Sequence, residues 1–109
     1  MVAYPQRDEV WLVSLEPTVG SEIKKTRPCI VISPNEINKL LKTVIAAPLT
    51  STIKSYPTRV TIAFQARESS IALDQIRSVD KSRLLRKLGN LSKEDSEAVS
   101  DVLVTMFSR

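Results

Sequence analysis

With 109 residues, no histidine and a single cysteine, the chain can bury one core yet lacks the groups most hydrolytic sites are built from. The missing histidines exclude imidazole acid–base pairs, Ser-His and Cys-His nucleophiles and nearly all zinc chemistry, and a lone Cys29 excludes a disulfide framework. A formal charge of +4 and a pI of about 9.5 favour an anionic partner: nucleic acid, an acidic protein or a lipid surface.

The start of the chain has neither the basic nor the apolar stretch of a signal peptide, and no apolar run reaches membrane-spanning length. A cytoplasmic protein without a membrane partner is therefore expected. Residues 9–15 are rich in β-branched and aromatic side chains and predict a strand, ended by the turn chemistry of residues 16–20. The next segment passes abruptly from a polar turn bearing Glu22, Lys24, Lys25 and Arg27 into the apolar run Cys29-Ile30-Val31-Ile32. Without polar alternation, a strand over residues 28–33 should be covered on both faces, one by the core, with a second subunit as a candidate cover for the other. Cys29 reads as a small buried apolar residue.

Ser33 is expected to cap a short helix, with Pro34 in its first turn, Glu36 completing a capping box, and Ile37, Leu40 and Leu41 on one side. Residues 43–48 return to strand, and residues 49–52 leave it as a hydroxyl-rich loop. In residues 58–64, Val60, Ile62 and Phe64 alternate with Arg59 and Thr61, as in a half-buried strand. A loop over residues 66–70 leads to extended segments at 71–73 and 75–79, and Asp80 is expected to cap a brief helix over 81–86. Ser92 caps the final helix, with Glu94 and Asp95 in its first turn and Ala98, Val99, Val102, Leu103 and Met106 as a core-facing stripe. Strands with helices inserted and appended give one α+β domain over residues 1–109, built on a mainly antiparallel, strongly curved sheet.

Most charges on the polar turn serve solubility as readily as function. Arg27 stands apart because it directly precedes Pro28 and the apolar strand. A planar guanidinium held at the start of a rigid strand suits phosphate recognition better than a mobile lysine. Thr50, Ser51 and Thr52 bring three hydroxyls together, where local turn hydrogen bonding is the ordinary role.

Gly20-Ser21-Glu22, Arg27-Pro28 before an apolar strand, Pro48-Leu49-Thr50, Tyr56-Pro57 and Asp74-Gln75-Ile76-Arg77, in this order, resemble the MazF/PemK/Kid family of toxin endoribonucleases over most of the chain. The resemblance implies a small SH3-like β-barrel with short inserted helices and a C-terminal helix, working as a homodimer. It also implies a type II toxin held by a cognate, often acidic, antitoxin. The implied reaction is metal-independent, ribosome-independent cleavage of single-stranded RNA, leaving a 2′,3′-cyclic phosphate and a 5′-hydroxyl, with no cofactor. Arg27 falls on the family's catalytic Arg and Thr50 on its catalytic Thr. Glu22 falls on a functional loop Glu and is the candidate proton acceptor if it reaches the site; Asp74 falls on a carboxylate used by one branch.

Ser21, Lys24, Lys25, Ser51, Lys54, Asp74, Gln75 and Arg77 are the RNA-binding candidates, with Arg59 a further backbone-tracking cation; Gln75 suits reading of a base edge and, equally, a hydrogen bond within the sheet. Arg7-Asp8-Glu9 departs from the family's Arg-Gly-acid pattern, so its glycine turn is expected to be lost. Ser21 stands where some members carry His, and Ala72 where that branch carries Arg, so the mechanism using those groups does not transfer. Rival readings are a non-catalytic binder resembling the gyrase poisons and a degenerate member that binds RNA or antitoxin only.

Overall fold

The strand over Thr43–Thr50 organises the fold, because three other strands pair with it directly. The computed structural model describes residues 4–23 and 25–109; Lys24 lies outside them. In chain order the elements are β1 (Glu9–Ser14), β2 (Thr26–Val31), α1 (Asn35–Leu40), β3 (Thr43–Thr50), β4 (Arg59–Phe64), β5 (Arg67–Ala72), a 3-10 turn (Leu73–Gln75), β6 (Arg77–Asp80), a second 3-10 turn (Lys81–Arg83), β7 (Leu84–Asn90) and α2 (Lys93–Phe107). The sheet path is β4-β5-β3-β2-β1-β7, with β6 also paired to β3, and every pairing is antiparallel. The sheet curls into a half-barrel, as the SH3-like expectation required. Register shifts in the β1–β7 ladder, between Val10 and Trp11 and between Leu12 and Val13, add twist of the kind that bends a sheet.

Strand alternation sends side chains to two apolar clusters. Val10, Ile30, Ala47, Leu49, Val60, Ile62, Ile71 and Leu73 form the main core, closed by α2 through Ala98, Val99, Val102, Leu103 and Met106. Ser92 Oγ accepts from Asp95 N–H, so both the expected stripe and its cap are present. The other face carries Val13, Leu15, Cys29, Ala46 and Val79, with Trp11, Ile23 and Leu84 packed on them. Cys29, Ile30 and Val31 are therefore buried on both faces within one chain, without a second subunit. No helix among the described residues is long and apolar enough to cross a membrane.

Four local expectations need correction. Pro34, not Ser33, is the N-cap of α1, and no side chain caps it; Ser33 Oγ instead bonds the buried Asn38 amide oxygen at 2.5 Å and accepts from Ile45 N–H at 3.0 Å. Strand β3 continues through Thr50, and β5 begins at Arg67, because the ladders continue through polar residues: Thr50 pairs with Ser70 beyond Leu49 and Ile71, and Arg67 pairs with Phe64. Asp80 does accept from Ser82 N–H, but the helix ends after Arg83 and residues 84–90 form β7. This edge strand pairs with β1, exposes Arg86 and Lys87, and has no clean alternation to mark it. Finally, the turn at Asp8 is kept without glycine: Asp8 adopts φ 72°. Its N–H donates to Val31 O at 2.8 Å, its carbonyl accepts from Leu91 N–H at 2.9 Å, and its carboxylate accepts from Ser96 Oγ at 2.7 Å.

Candidate active site

Along one edge of β3 the ladder changes partner. Residues Thr43 to Ala46 pair with β6, whereas Leu49 and Thr50 pair with β5. Between them stands Pro48, which has no N–H to offer a ladder. The chain linking β5 to β6 fills this gap with the 3-10 turn, burying Leu73 and leaving Asp74 and Gln75 at the surface. A cavity of about 270 Å³ results, lined by Leu15, Ser21, Glu22, Ile23, Pro48, Asp74, Gln75, Ile76 and Arg77.

On the opposite edge β3 pairs with β2 as Cys29↔Pro48 and Ile30↔Ala47. Continuing that register brings Arg27 opposite Thr50. Because alternate residues share a face, Arg27, Cys29, Ala46, Pro48, Thr50 and Arg77 lie on one side of the sheet. Arg27 and Thr50 also border a second cavity of about 390 Å³ with Pro28, Leu49, Ser51, Phe64, Gln65, Arg67, Glu68 and Ser69. Thr50 is 8% exposed, and its Oγ1 accepts from Thr52 N–H at 3.2 Å.

Cys29 lies between the two guanidiniums on this face. Burial pushes its thiol up to about 12, against the opposing pull of Arg77 and Arg27. It is thus a neutral thiol at pH 7 and no nucleophile.

The β1–β2 loop borders the first cavity through Ser21 and Glu22. Glu22 Oε1 accepts from Val19 N–H at 2.6 Å while Glu22 N–H donates to Val19 O at 3.2 Å, so this carboxylate closes its own turn. Gln75 Oε1 accepts from Ile23 N–H at 2.7 Å and ties the loop to the 3-10 turn. Lys25 sits at the base of the loop with φ 73°; its N–H donates to Glu16 Oε1 at 2.9 Å and its carbonyl accepts from Leu15 N–H at 3.0 Å.

Asp74 is engaged rather than open. Arg59 donates from Nε at 2.6 Å and from Nη2 at 3.1 Å, and Thr58 Oγ1 donates at 3.0 Å. The Arg59 hydrogen bond foremost holds the Asp74 carboxyl below its usual range. Arg59 in turn lies 5.3 Å from the Tyr56 ring centroid. Arg77 donates from Nη1 to Leu15 O at 3.3 Å.

The expected residues thus fall into two groups. Arg27, Thr50 and Ser51 border one cavity, while Ser21, Glu22, Asp74, Gln75 and Arg77 border the other. Lys25 is part of the loop base, Lys54 is exposed between β3 and β4, and Lys24 lies outside the described residues. Gln65, Arg67 and Glu68 were not anticipated beside Arg27. They come from a two-residue hairpin at Gln65 and Ala66, whose φ values of 50° and 62° are those of a left-handed turn without its usual Asn-Gly signal. The apolar alternation of Val60, Ile62 and Phe64, resumed at Ile71, was the available clue. Among the described residues, no group of three or more His, Cys, Asp or Glu side chains could hold a metal ion.

Residues 6–107 match the family described as PemK-like, MazF-like toxin of type II toxin–antitoxin system. The chain is 36% identical over 104 residues to Endoribonuclease EndoA of Bacillus subtilis, covering 90% of each protein. Its fold superposes on MazF from Deinococcus radiodurans with a TM-score of 0.86 at 25% identity, covering 99% of this chain and 100% of that one. A chain of the MazE-MazF complex from the same organism gives a TM-score of 0.74 at 26% identity, covering 99% of this chain and 100% of that one.

Proposed function

The chain belongs to the PemK-like, MazF-like toxin family of type II toxin–antitoxin systems, and from that premise we infer that it is an endoribonuclease cutting single-stranded RNA. The observation that carries the reading is the placement of Arg27 and Thr50 on neighbouring strands, on one sheet face and beside an open cavity. The 2′-hydroxyl of the nucleotide 5′ to the cut attacks the adjacent phosphorus in line. The P–O5′ bond breaks, a 2′,3′-cyclic phosphate forms, and the departing O5′ takes up a proton to become a 5′-hydroxyl. Negative charge gathers on the phosphoryl oxygens, where a guanidinium fixed at the start of β2 is best placed to stabilise it. Thr50 is too weak a base to take the 2′ proton and serves as a hydrogen-bond partner to the phosphate. Glu22 is the proton acceptor in this reading, once RNA draws its carboxylate from Val19.

Ser21, Ser51, Lys24, Lys25, Lys54 and Arg77 hold the RNA around this centre, joined by Arg67 of the hairpin. Asp74 and Gln75 shape the adjoining cavity. The protein acts in the cytoplasm as a homodimer, for which the exposed Ile37, Leu40, Leu41 and Ile45 on α1 and β3 supply apolar surface, and its net charge of +4 suits an acidic cognate antitoxin.

Replacing Arg27 with Ala is expected to leave a folded protein whose kcat falls about 10²–10³-fold. Mapping cleavage ends on a defined single-stranded RNA checks the activity and the end chemistry together. Wild-type cleavage by the variant would remove Arg27 from the mechanism. An intact protein that binds RNA but never cuts it would favour a purely inhibitory binder.

A further inference from the structure

Resting on the reading of Thr50 as a phosphate-facing group, we propose that Ser70 is a positioning residue that fixes the direction of the Thr50 hydroxyl. Ser70 is directly opposite Thr50 in the β3–β5 ladder, so the two side chains share a sheet face. Side chains paired in this way have Cβ atoms about 4.5–5.5 Å apart, within reach of one hydroxyl bonding the other after a rotamer change. Ser70 is 0% exposed, and among the described residues its Oγ is buried without a hydrogen-bond partner. A buried hydroxyl in that state is costly and calls for an explanation. On the other flank it faces Thr61, which is solvent-exposed.

Hydroxyl valence supplies the explanation. A threonine hydroxyl has two acceptor lone pairs and one proton to donate. One lone pair of Thr50 Oγ1 takes the Thr52 N–H at 3.2 Å. When Ser70 donates to the second, the Thr50 proton has one direction left, outward to a phosphoryl oxygen. The donated bond also polarises the Thr50 O–H, which strengthens the bond it makes in turn. Ser70 touches no substrate atom in this arrangement and acts only through Thr50.

Ser70→Val and Ser70→Thr separate the hydroxyl from packing, because they add the same bulk and differ only in that group. Rates are read on a fluorescent single-stranded RNA spanning the cleavage position found by end mapping. Ser70→Val should lower kcat about five- to tenfold with KM unchanged, Ser70→Thr should retain activity, and Ser70→Ala, which adds no bulk, should fall as Val does. Equal rates for the Val and Thr variants, or full activity in Ser70→Ala, overturn the proposal. Thr50→Val supplies the control. If it cleaves normally, the reading of Thr50 fails; if it is impaired while Ser70→Val is not, only the inference about Ser70 fails. In the double variant, Ser70→Val should cost nothing further.

Discussion

Asp8 shows how much conformational strain a single residue carries for the turn into β1. A non-glycine residue in the left-handed region costs about 1–2 kcal/mol. Here the aspartate offsets part of this by a tertiary bond, accepting from Ser96 Oγ at 2.7 Å. Asp8→Ala keeps the strain and loses that bond, so it is expected to reduce stability by about 1–2 kcal/mol. Asp8→Gly loses the same bond but relieves the strain and should fall between the two. Urea unfolding midpoints at constant slope measure the order; an alanine variant as stable as wild type would show that the bond contributes nothing, and a glycine variant no more stable than the alanine one would show that no strain is held there. The same logic applies to Lys25, whose backbone at φ 73° ties it to the loop base whatever its charge does for RNA.

At the scale of elements, the bond from Ile23 N–H to Gln75 Oε1 is a latch between the β1–β2 loop and the turn preceding β6. Gln75→Ala should speed hydrogen exchange at the Ile23 amide and lower kcat/KM severalfold, since a released loop no longer presents Ser21 and Glu22 in one place. Unchanged exchange would mean the loop is held by other contacts. An internal hydrogen bond was one of the two roles open to Gln75 in sequence, but its partner was not legible, because the two residues lie 52 apart. Elements with strong periodicity or a clear cap were legible: β1, β2, β4 and α2. Those defined by what they pair with were not. Strand β7 has an edge strand's irregular polarity, and the start of β5 looks like a loop until its ladder to β4 is known. Arg27 and Thr50 could be named from sequence only as candidates, and their adjacency depends on the β2–β3 register.

For the molecule as a whole, acid stability depends on carboxylates held below their ordinary range. Arg59 does this for Asp74 chiefly through its hydrogen bond. For Glu9, burial pushes upward but is outweighed by hydrogen bonds from Gln6 N–H and the Trp11 indole and by the Lys87 ion pair. A carboxyl depressed in the folded state contributes stability above its unfolded pKa and loses it as pH falls through the folded value. Asp74→Asn is therefore expected to be less stable than wild type at neutral pH and to converge with it in strong acid, once pH has fallen through the lowered folded value. Urea titrations at both pH values test this; an equal deficit at each would show a packing effect instead.

Cys29 gives the protein an internal gauge of its own motions. It is the chain's only cysteine, buried on the face that carries Arg27 and Thr50, with its thiol pushed up to about 12. A thiol reagent reaches it only when β2 and β3 part, so the labelling rate reports how often that seam breathes. No engineered label is required. Occupancy of the neighbouring groove by RNA or by an antitoxin would register as slower labelling of an otherwise unmodified protein.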